Sequence, residues 1–214
     1  SPHGLTISIT AIGKAEDDQL VYRNGAKIND LICVTGDLGA AYMGLQLLNR
    51  EKKIFLENPA AQPDLQGYDY LLERQLKPEA RLDIIQRFST WYVKPNSMID
   101  ISDGLASEVM HLCSQSNTGC QIYEEKLPID NLTSELGREL GLDPTVAALN
   151  GGEDYELLFT LPLSDYEKIK DRGEISIIGH MTEPEAGYRF IDRQQNVHEL
   201  QAQGWNAFRS GNTN

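Results

Sequence analysis

Apolar positions in this chain recur with two periods, and the switches between them mark its elements. Alternation of apolar and hydroxyl residues over residues 5–11 predicts a half-buried strand that Gly13 ends. A polar stretch, Arg23-Asn-Gly-Ala-Lys-Ile-Asn-Asp30, reads as a turn into the unbroken apolar run of residues 31–35, a buried strand. Gly36-Asp-Leu-Gly39 then opens a helix over residues 40–49. Residues 57–67, rich in Pro, Ala, Gln and Asp, read as a surface loop. Helical spacing returns at residues 68–76 and 78–91, with Pro78 at an early helical position and Leu82, Ile85 and Phe88 facing inward.

The second half continues the alternation of strands and helices, with no internal repeat. Residues 98–101 predict a strand, and the helix after Ser102-Asp-Gly104 places Leu105, Val109 and Leu112 on one face and ends at Gly119. A strand at 120–123 follows, then a helix over 132–140 capped by Gly141 and a short one opened by Asp143-Pro144. Residues 155–161 predict a strand, Ser164 caps a helix through Lys170, and residues 175–178 predict another strand. Residues 188–191 and 197–200 form a hairpin around Asp192-Arg-Gln-Gln-Asn196. The mixture is α/β, with helices packed on a mixed sheet.

Composition narrows the function. With 214 residues, 40% of them apolar, the chain holds one large domain, or one domain plus a piece of another. A formal charge of −13 argues against a nucleic-acid backbone or an anionic membrane as partner. No apolar run approaches the ~20 residues that a membrane helix needs. Cys33, Cys113 and Cys120 lack CxxC spacing and read as buried thiols in a reducing compartment, which places the protein in the cytoplasm. The start, Ser1-Pro-His-Gly, carries no initiator methionine and runs almost directly into a strand, as a cut chain would.

Two stretches carry the candidate chemistry. Met98-Ile-Asp-Ile-Ser-Asp-Gly-Leu105 sets Asp100 and Asp103 around Ser102 where a strand meets a glycine turn. Carboxylates there suit Mg²⁺, and a helix N-terminus offers free amide N–H groups to a phosphate. Ser102 or Asp103 can equally serve as a plain N-cap, whereas Asp100, in an apolar strand, has no capping role. Gly151-Gly-Glu-Asp-Tyr-Glu-Leu157 projects Glu153 beside a tight turn, as a substrate contact or a surface acid. Alternation puts at least one of Asp154 and Glu156 in solvent. Arg23 and Lys27 flank a glycine turn and can offer cations to phosphates. Trp205 and Phe208 can pack on the core or stack on a flat ligand. The four histidines show no metal-ligand spacing.

With Gly25-Ala-Lys27, Val34-Thr-Gly36 and Gly204-Trp205…Phe208 in support, these two stretches make the chain similar to the C-terminal two-thirds of the thiamine-monophosphate kinase family. That family is part of the superfamily of aminoimidazole ribonucleotide synthetase and selenophosphate synthetase. The resemblance implies Mg-assisted transfer of the ATP γ-phosphoryl group to thiamine monophosphate, giving thiamine diphosphate. It further implies Asp100 and Asp103 as Mg²⁺ ligands, Arg23 and Ser102 as ATP contacts, and Glu153 with Phe208 or Trp205 on the substrate. Residues 1–24 would be the last strand and connector of a preceding ATP-binding domain, residues 25–214 the synthetase-like domain, and the full-length protein a homodimer. Lacking most of that first domain, the chain alone is expected to be poorly active or inactive. The alternatives are another superfamily synthetase or kinase, or a non-catalytic acidic binding module.

Overall fold

An apolar run such as Leu31-Ile-Cys-Val34, closed by Thr35, has to be covered on both faces. All five of these residues are buried in the computed structural model, which describes residues 7–202. This strand, β1, is an interior strand, third in order across the seven-stranded sheet of the described residues. The others are β2 (Ser97–Asp100), β3 (Gly119–Tyr123), β4 (Leu157–Leu161), β5 (Ile175–Thr182), β6 (Tyr188–Ile191) and β7 (Val197–Glu199), in the spatial order β2-β4-β1-β5-β3-β6-β7. β3 and β6 are parallel and the other pairings antiparallel, so the sheet is mixed as expected.

The helices are α1 (Ala40–Glu57), α2 (Asp69–Leu76), α3 (Leu82–Trp91), α4 (Leu105–Ser116), α5 (Asn131–Leu140), α6 (Pro144–Asn150) and α7 (Tyr166–Ile169). Against one face of the sheet, Leu105, Val109 and Leu112 of α4 pack on Ile32, Val34, Ile99, Ile122 and Leu158. Against the other, Ile84, Phe88 and Trp91 of α3, with Ile169 of α7, pack on Leu31, Cys33, Phe159 and Leu161. A third cluster of Met43, Leu47, Leu71, Leu136 and Ala147 joins α1, α2, α5 and α6. Ala148 and Leu149 of α6 belong to the α4 cluster, so this short helix ties the outer helices to the sheet. A Cβ on Gly44 would lie 2.2 Å from the Leu71 carbonyl oxygen, so glycine there lets α2 lie close on α1.

Several boundaries differ from the sequence pattern, each for a local reason. Residues 7–11 form no strand: Ile7 and Ile9 are 73% and 86% exposed, with no strand beside them to complete a ladder. Leu5 and Thr6 lie outside the described residues. α1 runs on to Glu57, past residue 49, because the polar segment that follows, Arg50-Glu-Lys-Lys53, is anchored from the side. The buried Glu51 accepts from the Asp64 amide at 2.9 Å, and Arg50 reaches Glu139 of α5 at 2.6 Å. α3 starts at Leu82 rather than Pro78, since Arg81 is drawn outside the helix to a buried acid. Its inward stripe is therefore Ile84, Phe88 and Trp91, while Leu82 is 65% exposed. Asn117, left-handed at φ 53°, ends α4, and Gly119 opens β3 instead. Ser164 caps nothing; it lies in a 3₁₀ turn, Leu163–Asp165, before α7. β4 begins at Leu157, two residues late, because Tyr155 is left-handed at φ 50°. The three cysteines are buried free thiols, as their surroundings predicted.

Phe159 is fully buried and meets Phe88 edge-on at a centroid separation of 5.2 Å. Phe159→Ala should lower the unfolding free energy by about 3–5 kcal/mol in a urea titration, with the secondary structure of the remaining folded protein unchanged.

Candidate active site

The two stretches singled out in the sequence meet where β2 and β4 end. Asp100 pairs with Leu157 in the sheet, and beyond that pair the ladder continues between irregular segments. Ile101 donates to the Glu156 carbonyl at 2.8 Å, Tyr155 to the Ile101 carbonyl at 2.9 Å, and Glu153 to the Ser102 carbonyl at 2.8 Å. A Cβ on Gly152, at φ +68°, would sit 2.5 Å from the Ser102 carbonyl oxygen. The second glycine of the pair therefore admits backbone-to-backbone contact.

Two non-glycine residues in this corner, Glu153 at φ 62° and Tyr155 at φ 50°, occupy the left-handed region. Such conformations cost on the order of 1 kcal/mol each and persist where surrounding contacts fix them. Their effect is to turn Tyr155 and Glu153 outward, where the Tyr155 hydroxyl donates to Glu153 Oε2 at 3.1 Å. Burial, then the hydrogen-bonded Glu153 and the nearby Asp100 and Asp103, push the Tyr155 phenol above its ordinary value. Asp100, Asp103 and Glu153 thus share one exposed acidic corner around a phenol. Neither aspartate side chain makes a hydrogen bond or ion pair among the described residues. No group of three or more His, Cys, Asp or Glu among them is arranged to hold a metal ion.

The expectation that Asp154 or Glu156 faces solvent is overturned: each is 2% exposed. Residues two apart share a side, and here that side is the interior. Both oxygens of Asp154 accept from the Gly39 amide, at 3.1 and 3.0 Å, at the start of α1. Burial, opposed by the Gly39 and Ala41 amides and by Arg74, pushes its carboxyl up to about 7. Glu156 accepts from Arg74 Nη1 at 2.8 Å and also from Arg81 Nη1 and the Thr35 hydroxyl. The Thr35 oxygen in turn accepts from the Leu157 amide at 2.9 Å.

Arg81 stands between two cavities. One, of about 300 Å³, is lined by Tyr70, Arg74, Lys77, Arg81 and Glu156 among others. The other, of about 290 Å³ and mostly apolar, is lined by Pro78, Ala80, Arg81, Asp100, Tyr155 and Leu157, with Glu79. A cleft with an apolar wall, a phenol, a carboxylate and a guanidinium suits a flat ligand that carries charge.

The amides before α4 are not all free, contrary to the anion-site expectation. The Ser102 and Asp103 amides and the Ser102 hydroxyl donate to Glu108 Oε1, at 3.2, 2.9 and 3.1 Å.

No family model matches the chain. Individual relatives do. A thiamine-monophosphate kinase of Aquifex aeolicus is 34% identical over 204 residues, 95% of this chain and 59% of that protein. One of Bacillus subtilis is 32% identical over 212 residues, 96% of this chain and 61% of that protein. Among solved structures, AaThiL complexed with AMPPCP and TMP aligns at TM-score 0.69 and 32% identity, covering 88% of this chain and 54% of that one. The chain is a relative of the thiamine-monophosphate kinases. It spans about three-fifths of the length of these curated relatives. A hydrogenase maturation protein HypE in complex with ATP shares the fold at TM-score 0.61 and 15% identity. The α/β architecture common to these proteins is thus the one the sequence resemblance implied.

Within that fold, the residues to which the sequence resemblance gave a role are unevenly placed. Asp100, Ser102, Asp103 and Glu153 lie together, and Tyr155 joins them. Arg23 is exposed beside the outer edge of β2, where the Met98 amide donates to the Tyr22 carbonyl at 2.9 Å. It makes no hydrogen bond or ion pair with the acidic corner among the described residues. Trp205 and Phe208 lie outside the described residues. Arg74, Arg81, Glu108 and the interior roles of Asp154 and Glu156 escaped the sequence reading. The one available signal was a pair of acids, Asp154 and Glu156, running into the apolar strand Leu157–Leu161, where burial requires partners.

Two outcomes follow for stability. The folded chain binds the Asp154 proton more tightly than the unfolded chain, whose carboxyl stays near 3.8. Its contribution is full below that value and is lost as pH rises to about 7. At ~1.4 kcal/mol per pH unit, this loss is on the order of a few kcal/mol, and Asp154→Asn should flatten that slope in urea titrations across the range. Arg74→Met, which leaves the buried Glu156 short of a partner, should cost about 3 kcal/mol at neutral pH in the same measurement.

Proposed function

We propose that the chain forms the acceptor-side and metal-side walls of a thiamine-monophosphate kinase. The reaction is transfer of the ATP γ-phosphoryl group to the phosphate of thiamine monophosphate, giving thiamine diphosphate. The observation that carries this reading is the direct backbone contact that sets Asp100, Ser102 and Asp103 against Glu153 and Tyr155, in a relative of AaThiL complexed with AMPPCP and TMP. Phosphoryl transfer asks for positioning and for neutralisation of charge rather than for a covalent nucleophile.

Asp100 and Asp103 fit Mg²⁺, because Mg²⁺ takes one or two carboxylates and completes its shell with water and phosphate oxygens. The ion would neutralise charge on the phosphoryl group. Glu153 accepts from the heterocyclic end of the substrate, and the apolar cavity beside Tyr155 and Leu157 receives a flat ring. Arg23 serves the ATP phosphates, and Trp205 or Phe208 closes over the substrate. The exposed Ile7, Ile9 and Ile12 support reading residues 1–24 as a segment that packs on protein beyond this fold, within a homodimeric cytoplasmic enzyme of thiamine biosynthesis. Among the described residues no helix is long and apolar enough to cross a membrane.

A coupled assay of thiamine diphosphate formation with ATP and Mg²⁺ tests this reading. The chain alone should show little activity. It should gain activity when supplied with the part of the Aquifex aeolicus relative that it does not cover. Asp100→Asn should then lower the rate at least about tenfold. Steady turnover by the chain alone would overturn the need for that added part. A folded, complemented protein active on selenide or an aminoimidazole precursor instead would overturn the substrate.

A further inference from the structure

The turn between β2 and α4 looks at first like a phosphate cradle, yet the Ser102 and Asp103 amides and the Ser102 hydroxyl are already spent. Glu108, one turn inside α4 and 2% exposed, folds back under the turn. Its Oε1 accepts from the Ser102 amide at 3.2 Å, the Asp103 amide at 2.9 Å and the Ser102 hydroxyl at 3.1 Å. Its Oε2 is buried with no hydrogen-bond partner among the described residues. A buried carboxylate is costly, and three convergent donors offset that cost at this one place.

Two consequences follow for what the turn presents outward. A hydroxyl has one proton, and that of Ser102 is committed to Glu108, so Ser102 Oγ faces the corner with lone pairs alone. The Glu108 carboxylate is also held against the turn that carries Asp100 and Asp103, with Glu153 close by across the Ser102 carbonyl. A free anion approaching this turn meets like charge and finds the Ser102 and Asp103 amides occupied, whereas a hydrated divalent cation meets acceptor oxygens.

We propose that Glu108 is a positioning residue that makes the Asp100–Ser102–Asp103 turn acceptor-only. It then selects a hydrated divalent cation and takes a phosphate only through that cation. The proposal rests on the metal role given above to Asp100 and Asp103, but it is tested without ATP, thiamine monophosphate or turnover. A failed kinase assay therefore leaves it standing, and its failure leaves the kinase assay to be judged separately.

The test is a ¹⁵N amide titration of the 214-residue chain with MgCl₂ and, separately, with inorganic phosphate in the absence of metal. In the unsubstituted chain Mg²⁺ should shift the amides around Asp100 and Asp103, and phosphate alone should leave the Ser102 and Asp103 amides in place. In Glu108→Ala, phosphate should shift those two amides, and the apparent Mg²⁺ Kd of the folded protein should weaken about tenfold, as for loss of an outer partner of a metal ligand. Glu108→Gln keeps an oxygen acceptor and should restore most of the Mg²⁺ affinity. A purely structural role for Glu108 would lower stability and leave the Kd of the folded fraction unchanged, which overturns the proposal. So would phosphate shifting Ser102 and Asp103 in the unsubstituted chain, or Mg²⁺ leaving that turn unmoved. If Glu108→Ala does not fold, the two titrations of the unsubstituted chain and the Glu108→Gln affinity still decide the matter.

Discussion

The carboxylate of Glu156 is the contact on which the rest of this architecture turns. It gathers Thr35 from the end of β1, Arg74 from α2 and Arg81 from the segment before α3, all onto the residue that leads into β4. A buried ion pair of this kind contributes little net stability against an apolar replacement, because desolvation offsets the attraction. It does fix geometry, since removing any partner leaves a charge stranded. Four separate elements are thereby held in one register at the end of the sheet where Asp100 emerges.

Asp154 does the same service one residue pair earlier, by taking the amide end of α1. With Asp154 and Glu156 both turned inward, Glu153 and Tyr155 have to turn outward, and the left-handed backbone at both records what that costs. The corner is thus two-sided. Interior acids are satisfied by amides and guanidinium groups, while Asp100, Asp103 and Glu153 stay exposed, Glu153 with the Tyr155 hydroxyl as its partner. Strain of this kind is stored where the surrounding contacts over-determine it, here a ladder of backbone hydrogen bonds from Ile101 to Glu156.

Similarity to the thiamine-monophosphate kinases and the internal chemistry point the same way, from independent observations. The relatives carry the name of a kinase, and the corner holds exposed carboxylates beside an apolar cavity of about 290 Å³. Arg81 belongs to both the buried network and that cavity, so the structural anchor and the cavity wall share one side chain. A change in the anchor is felt in the wall without any contact to ligand.

What the sequence by itself determined was whatever depends on neighbours along the chain. Period and turn chemistry located most of the strands and helices, the Asp130 and Asp143 caps lie at predicted helix starts, and the hairpin around Asp192 formed where drawn. The two acidic stretches were legible because glycine beside carboxylates at a strand end is a local signal. The tertiary structure decided the inward turn of Asp154 and Glu156, the start of α3 at Leu82, the absence of a strand over residues 7–11 and the hydrogen bond that the Ser102 hydroxyl donates to Glu108. Each of these depends on a partner distant in the chain, or on one whose direction only packing sets. Arg74 and Arg81 lie about eighty residues from Glu156, and no periodicity carries information over that distance. Burial of a charge is decided by who meets it, and the linear pattern shows only that someone must.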